Sequence, residues 1–137
     1  ADHCAQLDKR RDKLQAHDYA ARWADIQAEA AADRAIITFG SCTGPVREGL
    51  ARAAADGVTA RLVSLRVLAP LPVAQLIAAL EGVTRIVVIE QNHSAQLYKY
   101  LRAECDLPGR VTSLHRPGAL QFSPGEIYRH LVEWSRT

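Results

Sequence analysis

The feature that most limits how this chain can fold is a regular alternation that starts at Ala35 and runs almost to the last residue. Four short apolar runs, AIITF (35–39), VTARLVSLRVL (58–68), RIVVIE (85–90) and VTSLH (111–115), are separated by stretches with helical spacing. Runs rich in Val, Ile and Thr between turn residues read as strands. VREGLARAAAD (46–56) offers a small-residue helix, and the next helix opens behind Pro70 and Pro72 with Val73, Leu76, Ile77 and Leu80 at i, i+3, i+4 and i+7. Residues 94–105 give a third, with Tyr98, Leu101 and Cys105 expected inside. The last helix begins at Ser123-Pro124-Gly125-Glu126, where a serine cap, a proline at the first helical position and a glutamate at the third spell a capping box. Ile127, Leu131 and Trp134 form its apolar stripe. Strands joined through helices need crossover connections of about a dozen residues or more, which favours a parallel sheet covered on both faces. The expected fold over 35–137 is therefore three-layer α/β/α with a mainly parallel sheet.

Residues 1–34 break this pattern. HCAQLDKRRDKLQAH has helix formers and mixed charge but only a thin apolar seam at Cys4, Leu7 and Leu14. DYAARWADIQAEAAADR adds Tyr19, Trp23 and Ile26 at i, i+4 and i+7. Both stretches are expected to form a helical arm that packs on something outside the domain. The chain opens with Ala1 and has no methionine, and nothing near its start resembles a secretory signal. It is expected to be a piece of a longer polypeptide, with 1–34 the linker from the preceding part.

Composition removes several function classes. Seventeen basic residues against fifteen acidic ones leave a net charge of +2, with no broad positive face for nucleic acid. No apolar stretch approaches the roughly 18 to 20 residues that span a bilayer, so no membrane partner is expected. Cys4, Cys42 and Cys105 are too far apart for a CxxC unit and odd in number, which suits reduced thiols and a cytoplasmic setting. His3, His17, His93, His115 and His130 show no metal-ligand spacing. Neither a metal site nor a catalytic residue is expected.

Functional surfaces of parallel sheets gather beyond the carboxyl ends of the strands, which would put Gly40–Gly44 and Glu90–Asn92 on one edge. In GSCTGP (40–45), Gly40, Ser41, Thr43 and Gly44 are candidates for holding an anion at a helix start. Ser41, Thr43 and Gly44 meet the first three requirements of a flavodoxin phosphate loop, whereas Val46 stands where its last threonine belongs. The simpler reading has Thr43 or Gly44 capping the helix and Pro45 starting it. ITFGS lacks the carboxylate a phosphoryl-accepting receiver domain needs, and the glycine spacing misses the dinucleotide and GxxxxGK[ST] loops. Glu90, Gln91 and Asn92, ahead of His93 and Ser94, are a second candidate set for an interface or anion site. Adjacent strand residues point to opposite faces, so Glu90 and His93 are a poor catalytic pair. Asn92 or Ser94 as a helix cap, with Glu90 near the positive helix end, is a sufficient account.

The order IITFGS, LVSLRVLAPLP, RIVVIEQNHSAQL, VTSLHRPGALQFSPGEI resembles the C-terminal, transketolase-C-terminal-like domain of 2-oxoacid:ferredoxin oxidoreductase alpha subunits. The resemblance is carried by Gly40-Ser41 after a strand, Leu65-Arg66 ahead of Pro70 and Pro72, Glu90-Gln91-Asn92 closing a strand, and the glycine loop from Arg116 to Ser123. Glu90-Gln91-Asn92 followed by a serine and Gln96-Leu97 is most similar to the 2-oxoglutarate branch. The resemblance implies an enzyme that uses thiamine diphosphate and Mg2+ to decarboxylate a 2-oxoacid. Electrons would pass through an iron-sulfur cluster to ferredoxin and the acyl group to coenzyme A. The chain has neither a cluster's cysteine set nor an evident base, so the resemblance implies an assembly and support domain with no cofactor of its own. Its partners would be a beta subunit and the other alpha-subunit domains, with Glu90–Asn92 capping a helix and contacting a neighbour. The matching domain of a thiamine-dependent 2-oxoacid dehydrogenase or transketolase-like enzyme is the alternative within the superfamily. A stand-alone flavodoxin-like flavin or anion-binding module is the alternative outside it.

Overall fold

A computed structural model describes residues 2–29 and 31–137; Ala1 and Ala30, both in the stretch expected to be an arm, lie outside the described residues. Among the described residues the elements run α1 (Asp2–Gln15), β1 (Ala24–Gln27), β2 (Arg34–Phe39), α2 (Thr43–Ala54), β3 (Arg61–Leu65), α3 (Val73–Ala79), β4 (Arg85–Glu90), α4 (Gln96–Glu104), β5 (Arg110–His115) and α5 (Pro124–Arg136). The strands form one sheet in the order β1-β3-β2-β4-β5, with β1 antiparallel and the other pairings parallel. The three-layer α/β/α fold with a mainly parallel sheet is the one expected.

Period-two alternation divides the strand residues between two cores. Ile37, Val63, Ile86 and Val88 pack with Leu76 of α3, Leu80 at its C-cap, and Leu97 and Leu101 of α4. On the other face, Ile36, Leu62, Val87 and Ile89 pack with Val46 and Leu50 of α2 and Ile127, Leu131 and Trp134 of α5. Central strands buried on both sides need apolar residues throughout, which is why RIVVIE reads as a continuous run. Helices α2 and α5 lie against each other through Gly49, where a Cβ would stand 2.6 Å from Ile127 Cγ2. The capping box forms as expected: the Ser123 side chain accepts from Glu126 N, the Glu126 carboxylate accepts from Ser123 N, and Pro124 opens α5.

Four expectations need correction. Residues 20–27 are not helical: Ala20–Trp23 is a single 3-10 turn and Ala24–Gln27 is an edge strand registered with Leu65 to Leu62. The cause is tertiary. The Trp23 carbonyl accepts from Arg66 N and Val67 N, and the Trp23 ring is buried at 6% exposure in the α3/α4 core. Burial and ladder hydrogen bonds override the helix propensity of an alanine-rich stretch. The boundary at residue 34 therefore cuts through the sheet, and only α1 stands apart, with no buried residue. Second, the strand expected over 58–68 narrows to Arg61–Leu65. Third, α4 buries Leu97 and Leu101, with Tyr98 and Cys105 half-buried at its margin. Fourth, neither Thr43 nor Gly44 caps α2: a 3-10 turn over Gly40–Cys42 runs straight into the helix, and the N–H of Thr43 donates to the Gly40 carbonyl.

Candidate functional site

All four parallel strands end at the same rim, followed by Gly40–Cys42 after β2, Arg66–Leu68 after β3, Gln91–Ser94 after β4 and Arg116–Phe122 after β5. The chain moves from β2 to β3 in one direction and from β3 to β4 across to the other side of β2, so the strand order reverses between β2 and β4. Doubly wound sheets bind ligands at such a reversal, often with an anion against a helix start.

Here the molecule supplies the anion itself. Glu90, the last residue of β4, is at 0% exposure. Its carboxylate accepts from Leu97 N at 2.7 Å, from Tyr98 N at 2.9 Å and from the Asn92 side-chain amide. A carboxylate buried this deeply is tolerated because three donors and the positive end of α4 replace its water. Asn92 completes the turn: its Oδ1 accepts from Ser94 N and Gln96 N, both at 3.1 Å. Ala95, at φ +51, turns the chain through the left-handed region so that the first amides of α4 face Glu90. The N-cap position of α4 is Ala95 and not Asn92 or Ser94 as expected, yet Asn92 and Glu90 accept the first amides of the helix from further back. Glu90 points inward, however, and its carboxylate offers nothing to a neighbouring chain.

Gln91 ties the rim together laterally. Its Nε2 donates to the carbonyls of Gly118 (3.2 Å) and Leu120 (3.0 Å), fastening the loop after β5. Arg116 holds the other side of that loop through Glu126 (2.7 Å) and the Gln121 carbonyl (2.7 Å), with its guanidinium over the Phe122 ring. The Arg116 guanidinium, with the Ser123 cap, lowers the Glu126 carboxyl to about 2. Leu120 is left projecting from the fastened loop at 82% exposure.

At the ends of β2 and β3 the rim is open. Gly40 and Ser41 are exposed, while Thr43 Oγ1 lies 2.6 Å from Ser64 Oγ. These hydroxyls border a pocket of about 530 Å3 that also takes in Phe39, Asp25, Arg47 and Arg66. Arg47 pairs with Asp25 at 2.7 Å, and Arg66 reaches the same carboxylate oxygen at 3.6 Å. Gly44 is exposed but does not line the pocket. Of the residues expected at the rim, the structure thus gathers Gly40 and Thr43 at one opening and Glu90, Gln91 and Asn92 in the closed turn after β4.

Burial pushes the thiols of Cys42 and Cys105 up, which makes poor nucleophiles of both. Among the described residues no three His, Cys, Asp or Glu side chains gather as a metal ion would need. No helix among them is long and apolar enough to cross a membrane.

Residues 32–127, which hold every strand of the parallel sheet and its rim, match the family described as pyruvate:ferredoxin oxidoreductase core domain II. The chain belongs to that family. A curated relative, subunit alpha of 2-oxoacid:ferredoxin oxidoreductase 2 from Aeropyrum pernix, is 34% identical over 82 residues, 60% of this chain and 13% of the relative. Among solved structures, 2-oxoglutarate:ferredoxin oxidoreductase from Magnetococcus marinus, with 2-oxoglutarate, coenzyme A and succinyl-CoA bound, superposes with a TM-score of 0.75 at 29% identity. That match covers 96% of this chain and 22% of the solved one. This core domain II thus spans less than a quarter of each of these two relatives.

Proposed function

We propose that this core domain II serves as an assembly and support domain in the alpha subunit of a 2-oxoacid:ferredoxin oxidoreductase, with the reaction chemistry in other parts of the polypeptide. The observation that carries this reading is the full burial of Glu90 on three donors of its own turn: the acid best placed for chemistry is occupied in folding. The substrate we assign is 2-oxoglutarate, supported by the Magnetococcus marinus likeness and by the Glu90-Gln91-Asn92 turn. The whole enzyme would use thiamine diphosphate, Mg2+, an iron-sulfur cluster and coenzyme A, and deliver electrons to ferredoxin in the cytoplasm. Cys4, Cys42 and Cys105 stand on α1, before α2 and after α4, so they do not form a cluster's ligand set.

Within this reading the rim contacts are the half-buried Gln91, the Leu120 loop and Ser41, and the partners are the beta subunit and the remaining alpha-subunit domains. Helix α1, with Leu7 and Leu14 about half exposed, packs on the part of the parent chain that precedes it. The test is to express the full alpha subunit with and without this domain beside its beta subunit, and to follow association by light scattering and 2-oxoglutarate-dependent ferredoxin reduction. Loss of the heteromer on deletion, with no turnover by the isolated domain, is expected. Turnover by the domain alone, or normal assembly without it, would overturn the proposal.

A further inference from the structure

The open pocket at the ends of β2 and β3 contains more hydrogen-bond donors than the protein uses. Thr43 and Ser64 bring two hydroxyl protons to a single mutual contact of 2.6 Å, and Ser64 is only 4% exposed. Whichever oxygen donates, the other hydroxyl keeps a proton with no acceptor among the described residues. Arg47 and Arg66 share one oxygen of Asp25, so two cations face one carboxylate. Each guanidinium carries about five N–H donors, and both side chains are exposed, so the donors that Asp25 does not take face solvent at the pocket mouth. Phe39, Leu65 and Leu68 close the apolar side, and the volume of about 530 Å3 falls in the range of small-molecule sites.

We infer that this pocket binds the phosphate group of a small phosphorylated molecule. The donors come from four places, the first residue of α2, its second turn, Ser64 within β3 and the residue after β3. A tetrahedral phosphate presents acceptor oxygens in several directions and suits such a spread. A planar carboxylate presents two, and Asp25 already serves in that way. Arginine forks match phosphate geometry. The inference is independent of the assembly role, which needs no small-molecule pocket.

The test is calorimetric titration of the chain with inorganic pyrophosphate and, separately, citrate. One saturable site that prefers pyrophosphate is expected. Arg66→Gln removes a guanidinium whose one ion pair among the described residues is with Asp25, and should weaken pyrophosphate about tenfold or more, the loss of one charged hydrogen bond. Asp25→Asn removes the competing carboxylate and should tighten binding, and circular dichroism should show both variants folded. No saturable binding, unchanged affinity in a folded Arg66→Gln, or citrate bound as tightly as pyrophosphate would overturn the assignment.

Discussion

At the end of β4 a fully buried carboxylate meets the first amides of α4; at the end of β3, across the same rim, two arginines and two hydroxyls border an open hollow. The two places are equivalent in a parallel sheet, since each lies where a strand delivers the chain toward a helix. What separates them is who supplies the negative charge. Glu90 supplies it at one place and is taken out of any dealings with solutes. At the other, Asp25 supplies it only in part, from an edge strand and at 38% side-chain exposure. A rim of this kind can therefore be rigid on one side and receptive on the other without any change of fold.

The largest effect should come from breaking the closed side. Glu90→Ala leaves the amides of Leu97 and Tyr98 buried without an acceptor, and should cost about 3 to 5 kcal/mol of unfolding free energy, measured by urea titration. A cost below about 1 kcal/mol would mean that water or another group replaces the carboxylate, and the contrast would fail. Next comes the support under the open side. Gly49→Ala pushes a methyl against Ile127 and the Pro124 carbonyl, so it should cost about 1 to 3 kcal/mol by prying α2 from α5. If instead the helices yield freely, Gly49→Ala will unfold at the wild-type urea midpoint.

The smallest effect should appear only in acid. Glu126 has a folded pKa of about 2 against an ordinary 4.5, so its contribution to stability is complete above the ordinary value and is lost as pH falls from about 4.5 towards 2. Glu126→Gln, which also loosens the Arg116 hold on the loop beside Gln91, should flatten that part of the profile of melting temperature against pH. A variant that keeps the full acid slope would show that Glu126 is not its source.

How much of this was legible in the sequence follows from the range of the forces involved. The four parallel strands and the α5 capping box were readable because β-branched runs and Ser123-Glu126 spacing act locally. Strand β1 was not, because four residues with one large apolar group, Ile26, are too few to carry a period-two signal, and what makes them a strand is β3, some forty residues on. The Glu90 turn was half readable: a carboxylate ahead of a helix suggests a cap, but its total burial depends on how α4 closes over it. The Asp25-Arg47-Arg66 group was missed altogether. Its members lie on β1, α2 and the turn after β3, and the one available hint was that Arg47 follows Thr43 by a single helical turn.

The central claim is that the Glu90 carboxylate is the resident anion of α4, and amide hydrogen exchange at Leu97 and Tyr98 tests it most directly. Both amides should be among the slowly exchanging ones in the unaltered chain. In Glu90→Gln they should exchange at least about tenfold faster, while the amides of α2 keep their rates. Fast exchange at both positions in the unaltered chain, or rates unmoved by the substitution, would contradict it.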